Sequence, residues 1–355
     1  MKNKKIDLNC LSEEELLNTR ICDLSIKIQG TWLESCIQEL YSEIDEKGLN
    51  FRPICYLADE WLTPDGEPVV GIPFFLAHPA LIKLEKKMML EVEGSTHSWC
   101  MMLLRHETGH ALNYAYKLYR RKKWQNLFGK MSKEYADTYR FRPYSKNFVR
   151  HLEDYYAQYH PDEDFAETFA VWLNNKLDWR EKYKGWKAIN KLNYVDTLMD
   201  EIKTKEPIVK NGEKYWVASD IKKTLKSFYN KKKHYYAEDF PDFHDQNLKK
   251  MFKELDDLEY KKNRVYKSVE NKNLIIVYQI IKKNKRDMLI NVAKWTGEKK
   301  YIIDNLLEII EQRCKLLKLV AVQSEVLVVL EISVYITALV MNYIYTGRFR
   351  KIINK

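Results

Sequence analysis

The five residues His106-Glu107-Thr108-Gly109-His110 place two histidines four positions apart, with a glutamate directly after the first. On an α-helix, side chains four apart lie on one face, with their Cβ atoms roughly 5–6 Å apart. Both imidazoles can therefore point at one metal ion, while the glutamate can reach a water on that ion. Ser95 or Thr96 suits the N-terminal cap of such a helix, and apolar residues then recur at helical spacing. The motif therefore predicts a zinc site on a helix at 95–119.

Gly109 helps to separate this prediction from the alternative of two ordinary buried histidines that are satisfied by hydrogen bonds. A glycine inside a helix costs ~1 kcal/mol relative to alanine, so its presence indicates that something needs the space. The longer motif HExxHxxGxxH is absent, since Asn113 and Tyr116 occupy the positions of its glycine and third histidine. The third metal ligand must therefore come from further along the chain.

A second candidate helix follows at 160–173, with the sequence HPDEDFAETFAVWL. Its proline and its three successive acids suit the first turn of a helix. Glu163 and Glu167 are four apart and face the same way, so one can bind zinc while the other holds a ligating histidine by its free ring nitrogen. The spacing alone leaves open which does which. Three nearby residues have other predicted roles: Asp162 and Asp164 complement the helix dipole, and His151 is an alternative ligand.

Two segments of the chain resemble a bacterial family of zinc-binding metallopeptidases in the gluzincin group. They are LRHETGHALNY at 104–114 and HPDEDFAETFA at 160–170, and shorter similarities lie at 71–79 and 235–239. The resemblance covers roughly residues 30–255. It therefore includes both candidate helices and leaves out the C-terminal part of the chain.

This resemblance implies a role for each residue of the site. In gluzincins the first glutamate of the distant pair is the third ligand, so one zinc ion per chain would be held by His106, His110 and Glu163. Glu167 would then contact a metal-binding histidine. The implied activity is hydrolysis of a peptide or amide bond through a metal-bound water that Glu107 activates.

A hydrolase of this kind usually has a second donor for the negative charge that develops on the substrate oxygen. Some gluzincins use a tyrosine or a histidine, and four such residues precede the acidic helix: Tyr155, Tyr156, Tyr159 and His160. We choose Tyr156, because it lies seven residues before Glu163 and the pattern at 147–160 is helical. Two helical turns would bring it to the same side, although Pro161 resets the phase. Core packing is the alternative role for each of these tyrosines.

The remaining pattern predicts an α+β fold with a zincin-like core, in which a small, mostly antiparallel sheet packs on the HExxH helix. Strands are predicted at 52–59 and 67–76, with the turn Thr63-Pro64-Asp65-Gly66 between them. Pro73 has no N–H to donate, so the second is predicted to be an edge strand. The segment from Gly71 to Leu76 is then either an ordinary edge or the place where an extended peptide substrate pairs.

The chain is expected to have three regions, which are an N-terminal arm at 1–30, the catalytic domain at 31–260 and a helical C-terminal region at 261–355. Within the catalytic domain, the basic and aromatic connection at 120–146 is expected to form one wall of the cleft. Further helices are predicted at 12–18, 31–47, 79–91, 245–262, 263–291, 297–316 and 324–345.

Charge and hydropathy bear on partners and location. The net charge of +10 is spread along the chain without a nucleic-acid reader motif, so a nucleic-acid-associated protein is only the third hypothesis for function. The polar N-terminus and the six scattered cysteines predict a cytoplasmic protein with reduced thiols. The apolar run at 326–345 contains Glu331 and is predicted to be a core helix rather than a membrane span.

The main alternative to a hydrolase is a non-catalytic module that uses the same fold, with or without the same metal, for structure or partner binding. Glu107 discriminates between the two. A structural metal site has no use for a carboxylate beside the ion, whereas hydrolysis needs a base there.

Overall fold

The structure, a computed structural model, describes residues 7–135, 141–142, 144–152, 155–235, 244–255 and 274–346. Across these residues the predicted α+β class is confirmed, since the chain is mostly helical and has two small sheets. The chain forms two compact units, one of Met1–Met88 and Val92–Tyr229, the other of Met89–Glu91 and Asn230–Lys355. The predicted regions at 1–30, 31–260 and 261–355 stay a prediction.

The helices occupy most of the positions that the sequence pattern predicts. They are α1 (Glu13–Asn18), α2 (Trp32–Glu46), α3 (Pro79–Met89), α4 (His97–Ala115), α5 (Lys122–Phe128), α6 (Pro161–Leu173), α7 (Trp179–Lys182), α8 (Ile189–Ile202), α9 (Leu225–Tyr235), α10 (Asp245–Met251), α11 (Val277–Thr296), α12 (Lys300–Leu316) and α13 (Glu325–Thr346). The strands are β1 (Ile54–Ala58), β2 (Val69–Pro73), β3 (Lys253–Glu254), β4 (Ile275–Ile276) and β5 (Leu319–Ala321). The predicted helix ends at 262 and 263, and the similarity at 236–239, lie outside the described residues.

The sheet of the first unit corrects the prediction of antiparallel strands, because β1 and β2 run parallel. The turn lies one residue later than predicted, at 64–67, with the N–H of Glu67 donating to the carbonyl of Pro64 at 2.9 Å. This turn connects β2 to the residues around Leu62, which pair with β2 in the antiparallel direction, and it does not connect β2 to β1. Gly71 exchanges both of its backbone hydrogen bonds with Leu62. The connection between the strands is long enough to pass around β2, so β1 lies on one side of β2 and Leu62 on the other.

The segment from Gly71 to Leu76 is a strand only in its first part. Strand β2 ends at Pro73, and Phe74–Ala77 forms a turn of 3-10 helix. Every residue of β2 is buried, and the backbone groups of Gly71 are already bonded to Leu62. Strand β2 is thus an edge of a two-stranded sheet, as predicted, and an isolated bridge to Leu62 covers that edge at Gly71. Substrate pairing along the segment stays a prediction.

Helices α4 and α6 pack against each other in the first unit, and both are buried along most of their length. At Gly109 a Cβ atom would lie 2.8 Å from the Cα and 3.0 Å from the carbonyl oxygen of Ala166. The inference that something needs the space at Gly109 is confirmed, and what needs it is the backbone of α6. This close approach brings the histidines of α4 near the acids of α6.

We expect Gly109→Ala to destabilise the protein although alanine is the better helix former. Propensity alone would stabilise the variant by ~1 kcal/mol. Overpacking a filled interior costs about 1–3 kcal/mol, and here the obstacle is backbone, which cannot move aside as a side chain can. Urea unfolding measures the sign directly. A variant more stable than the wild type would contradict the close packing of α4 on α6.

A buried ion pair fixes α4 to α2 next to the motif. The guanidinium of Arg105 donates two hydrogen bonds to the carboxylate of Glu43, at 2.7 and 2.6 Å. The two residues are only 5% and 2% exposed. Because Arg105 directly precedes His106, the pair holds the helix at the point where the motif begins.

We expect Glu43→Ala to lower the free energy of unfolding by ~3–5 kcal/mol, because it leaves the Arg105 charge buried without its partner. Asp45→Ala is the matched control on the same helix. It removes the exposed ion pair of Asp45 with Arg52, and such pairs contribute only ~0–1 kcal/mol. Equal losses in the two variants, measured by urea unfolding, would show that the buried pair does not anchor α4.

In the second unit, β5 lies between β3 and β4 in an antiparallel sheet, and α11 packs against both α12 and α13. Helix α13 buries one apolar face, which includes Val328 and Ile332, while Val326 and Leu330 on another face are exposed. By length and composition its segment Glu325–Tyr345 is a candidate membrane span, with a mean hydropathy of 1.9 and 28% of the segment buried. Core helices of soluble proteins meet the same criteria.

Candidate metal centre

The HExxH motif lies on α4, as its spacing predicts. The helix begins after Thr96, whose hydroxyl oxygen accepts a hydrogen bond from the N–H of Trp99 at 3.3 Å. His106 and His110 are buried, and their ring centroids lie 4.8 Å apart. The helix therefore presents both imidazoles on the same side, toward α6.

The side chain of Glu163 on α6 meets both histidines. Its Oε2 atom lies 3.1 Å from Nε2 of His106 and 3.1 Å from Nε2 of His110. The two Nε2 atoms are also 3.1 Å apart. A tetrahedral zinc ion with bonds of roughly 2.0–2.1 Å holds its ligand atoms a little more than 3 Å apart. The three atoms thus form a triangle of the size of one face of that tetrahedron.

The other ring nitrogens indicate which atoms of the triangle are free to bind a cation. Nδ1 of His106 lies 2.9 Å from Oε1 of Glu167, and Nδ1 of His110 lies 2.8 Å from Oδ2 of Asp162. A neutral histidine that donates from Nδ1 to a carboxylate has its lone pair on Nε2. Two such lone pairs and a carboxylate oxygen then converge, which is a donor set that suits zinc.

The electrostatics of the centre also favour positive charge there. Burial alone would lower the pKa of His106, but hydrogen bonds to Glu163 and Glu167 outweigh it and raise that pKa to about 9. Burial would raise the pKa of Glu163, yet the charges and hydrogen bonds of both histidines hold it well below its usual range. The site thus stabilises a cation at its centre, whether this is a proton or a metal ion.

All four acids of α6 are buried, which the dipole interpretation of Asp162 and Asp164 does not explain. Asp162 accepts hydrogen bonds from the hydroxyl of Tyr114 at 2.6 Å and from the side-chain amide of Asn113 at 2.7 Å, besides its contact with His110. Asp164 pairs with Lys191 of α8. The prediction for these two acids is therefore incomplete, since each also has a buried partner of its own.

Glu167 contacts one of the histidines and also fixes the chain that precedes α6. Its Oε1 faces His106, while its Oε2 accepts backbone hydrogen bonds from His151 at 3.3 Å and Leu152 at 3.0 Å. The ring of His151 itself points elsewhere, with Nε2 2.9 Å from the carbonyl oxygen of Met102. His151, the alternative ligand, is thus not part of the triangle.

The prediction of a helix at 147–160 is wrong for the described residues. Tyr155 has a left-handed backbone with φ of 56°, and Tyr156–Gln158 forms a single turn of 3-10 helix. Backbone N–H groups of this segment donate to side chains and not to helix carbonyls. The N–H groups of His151 and Leu152 donate to Glu167, and that of Arg150 donates to the hydroxyl of Tyr183. The ring of Tyr156 still reaches the site, with its centroid 5.7 Å from that of His106.

Glu107 lies beside the triangle and is not one of its corners. It is 8% exposed. Burial raises the pKa of its carboxyl group, although the charges of His106 and His110 act in the opposite direction. Its backbone carbonyl accepts a hydrogen bond from the hydroxyl of Thr63 at 3.1 Å, which fixes the turn before β2 against α4. Glu107 thus places a further buried carboxyl group close to both histidines of the triangle.

Three contacts of the site escape the sequence analysis. The hydroxyl of Tyr135 donates to Oε1 of Glu163 at 3.0 Å, whereas the prediction for its segment was only a cleft wall. Asn113 and Tyr114 support Asp162. Tyr114 follows His110 by four positions, and this spacing is the signal that could have identified it.

Among the residues that the structure describes, one group of three histidine, cysteine or acidic side chains is close enough to hold a metal ion. It consists of His106, His110 and Glu163. Comparisons of the chain with protein-family models, with curated proteins and with solved structures find no match. The function is therefore inferred from the residues and their geometry.

Proposed function

We propose that this protein is a zinc-dependent hydrolase of peptide or amide bonds, with a zincin-like core of the gluzincin type. The observation that supports it most is the triangle of Nε2, Nε2 and Oε2 atoms at mutual distances of 3.1 Å. The carboxylate of Glu107, which is not one of the corners of the triangle, also supports the proposal. A purely structural site explains the triangle, but it gives no function to Glu107.

In this proposal His106, His110 and Glu163 hold one zinc ion, which supplies positive charge that polarises a substrate carbonyl and acidifies water. Glu167 and Asp162 keep the two histidines in the tautomer that has its lone pair on Nε2. Glu107 accepts a proton from the attacking water and returns it to the leaving nitrogen.

Tyr156 completes the proposed site as the donor to the substrate oxygen. Its ring lies beside that of His106, and a phenol is neutral at pH 7 and can donate one hydrogen bond. The choice of a peptide or protein substrate rests on the resemblance of 104–114 and 160–170 to gluzincins.

The test of the proposal is cleavage of a broad peptide mixture. Purified protein is loaded with one equivalent of zinc and incubated with peptides from a digested proteome, and new termini are identified by mass spectrometry. We expect a defined set of cleavages that a zinc chelator abolishes and added zinc restores. Zinc-loaded protein that cleaves nothing in the mixture would favour the non-catalytic module.

A further inference from the structure

The two oxygens of Glu163 have different partners. Oε2 faces both histidines at 3.1 Å, whereas Oε1 accepts a hydrogen bond from the hydroxyl of Tyr135 at 3.0 Å. Hydrogen bonds to a charged carboxylate are roughly twice as strong as those between neutral groups. The hydroxyl therefore holds one oxygen away from the centre of the triangle and leaves the other directed into it.

Tyr135 is itself held in place by the start of α6. Its ring stacks on that of His160, with centroids 3.9 Å apart and planes inclined by 16°. Both nitrogens of His160 have partners, since Nε2 donates to the carbonyl of Lys133 at 2.6 Å and Nδ1 accepts from the N–H of Asp162 at 3.2 Å. The His160 ring thus caps the helix that carries Glu163 and also supports the phenol ring that contacts Glu163.

Gly129 directly follows α5, and its backbone lies close to Pro161 at the start of α6. The backbone there has φ of +115°, and a Cβ would lie 3.0 Å from Cγ of Pro161. The segment 129–135 therefore follows the first turn of α6 with contacts at Pro161, His160 and Glu163. These contacts at the start of α6 place the Tyr135 hydroxyl beside Oε1 of Glu163, while the residue as a whole is 49% exposed.

We propose that Tyr135 is a positioning residue that restricts Glu163 to coordination of the metal through one oxygen. Carboxylates bind metal ions through one oxygen or through both. A catalytic zinc site has three protein ligands and a fourth position for water, and a second carboxylate oxygen would add a fifth ligand atom and crowd that position. By binding Oε1, Tyr135 keeps the position accessible to water and substrate. The inference rests on the proposed metal site. It adds that the hydrogen bond from Tyr135 to Glu163 keeps the water position of that site accessible.

The test uses the full-length protein with cobalt(II) in place of zinc. Four-coordinate cobalt absorbs visible light strongly, and the absorption weakens when a fifth ligand atom binds. Tyr135→Phe keeps the ring that stacks on His160 and removes only the hydroxyl. We expect the cobalt form of Tyr135→Phe to absorb less strongly than the wild type. Tyr144→Phe is the control, because it removes a phenol hydroxyl that is fully in solvent in the same part of the chain, and its spectrum should equal that of the wild type.

The possible results separate this inference from the proposed function. If the wild type binds cobalt and Tyr135→Phe gives the same spectrum, Tyr135 does not set the coordination and only the inference is overturned. If Tyr135→Phe no longer binds cobalt, the hydroxyl is needed to hold the ligand at all, and the one-oxygen role is again overturned. A wild-type protein that binds no cobalt would contradict both the inference and the proposed metal site.

Discussion

Glu107→Gln should bind zinc as the wild type does and hydrolyse peptides roughly 10²–10⁴-fold more slowly, which is the usual contribution of a general base. The carboxyl is not a corner of the metal triangle, so its loss leaves all three ligand atoms in place. Glutamine has nearly the same shape and cannot accept the proton. The expected result is therefore a large fall in kcat at unchanged zinc content and unchanged stability.

The matched control for this variant is Glu93→Gln, which neutralises an exposed carboxylate of the first unit and should hydrolyse at the wild-type rate. Zinc content and kcat are measured on the same preparations. A Glu107→Gln protein with the wild-type kcat would exclude Glu107 as the base. A protein that lost its zinc would make Glu107 a ligand instead.

Removal of Glu163 should have the largest effect on metal binding. Glu163→Ala deletes one corner of the triangle, so we expect it to hold no zinc after dialysis against a buffer that leaves the wild type fully loaded. Glu167→Ala removes only the carboxylate that orients His106, and losses of this kind weaken binding by roughly 10–100-fold. Competition with a chromogenic chelator measures the dissociation constants of both variants.

The order of the two effects decides which glutamate is the ligand. The sequence spacing leaves this open, and the resemblance to gluzincins implies Glu163. In the structure Oε2 of Glu163 lies near both Nε2 atoms, whereas Glu167 faces the opposite nitrogen of His106. A variant pair in which Glu167→Ala loses zinc and Glu163→Ala retains it would reverse the two roles.

The parts of the site that the sequence predicts are those set by near neighbours along the chain. Helix α4, a cap at Ser95 or Thr96 and the common face of His106 and His110 all follow from local sequence signals. The acidic helix is predicted for the same reason, from its proline and its first-turn acids. Gly109 was informative because a mid-helix glycine is unfavourable unless another element approaches closely, as the backbone of Ala166 does.

The parts that it does not predict depend on contacts between distant positions. The 147–160 segment has a helical pattern, but the carboxylate of Glu167 binds two of its N–H groups, and tertiary contacts of this kind override local preference. Parallel pairing of β1 with β2 depends on a connection that passes around the strand, which periodicity does not reveal. No spacing rule links Tyr135 to Glu163, or Glu43 to Arg105, because each pair meets only when helices and loops pack together.

Zinc stoichiometry of the purified wild-type protein tests the central claim most directly. The protein is stripped with a chelator, exposed to a small excess of zinc, desalted, and measured by elemental mass spectrometry against protein concentration. The geometry of His106, His110 and Glu163 predicts one zinc ion per chain, lost in His106→Ala. A wild-type protein that retains no zinc, or a His106→Ala protein that retains as much as the wild type, would contradict it.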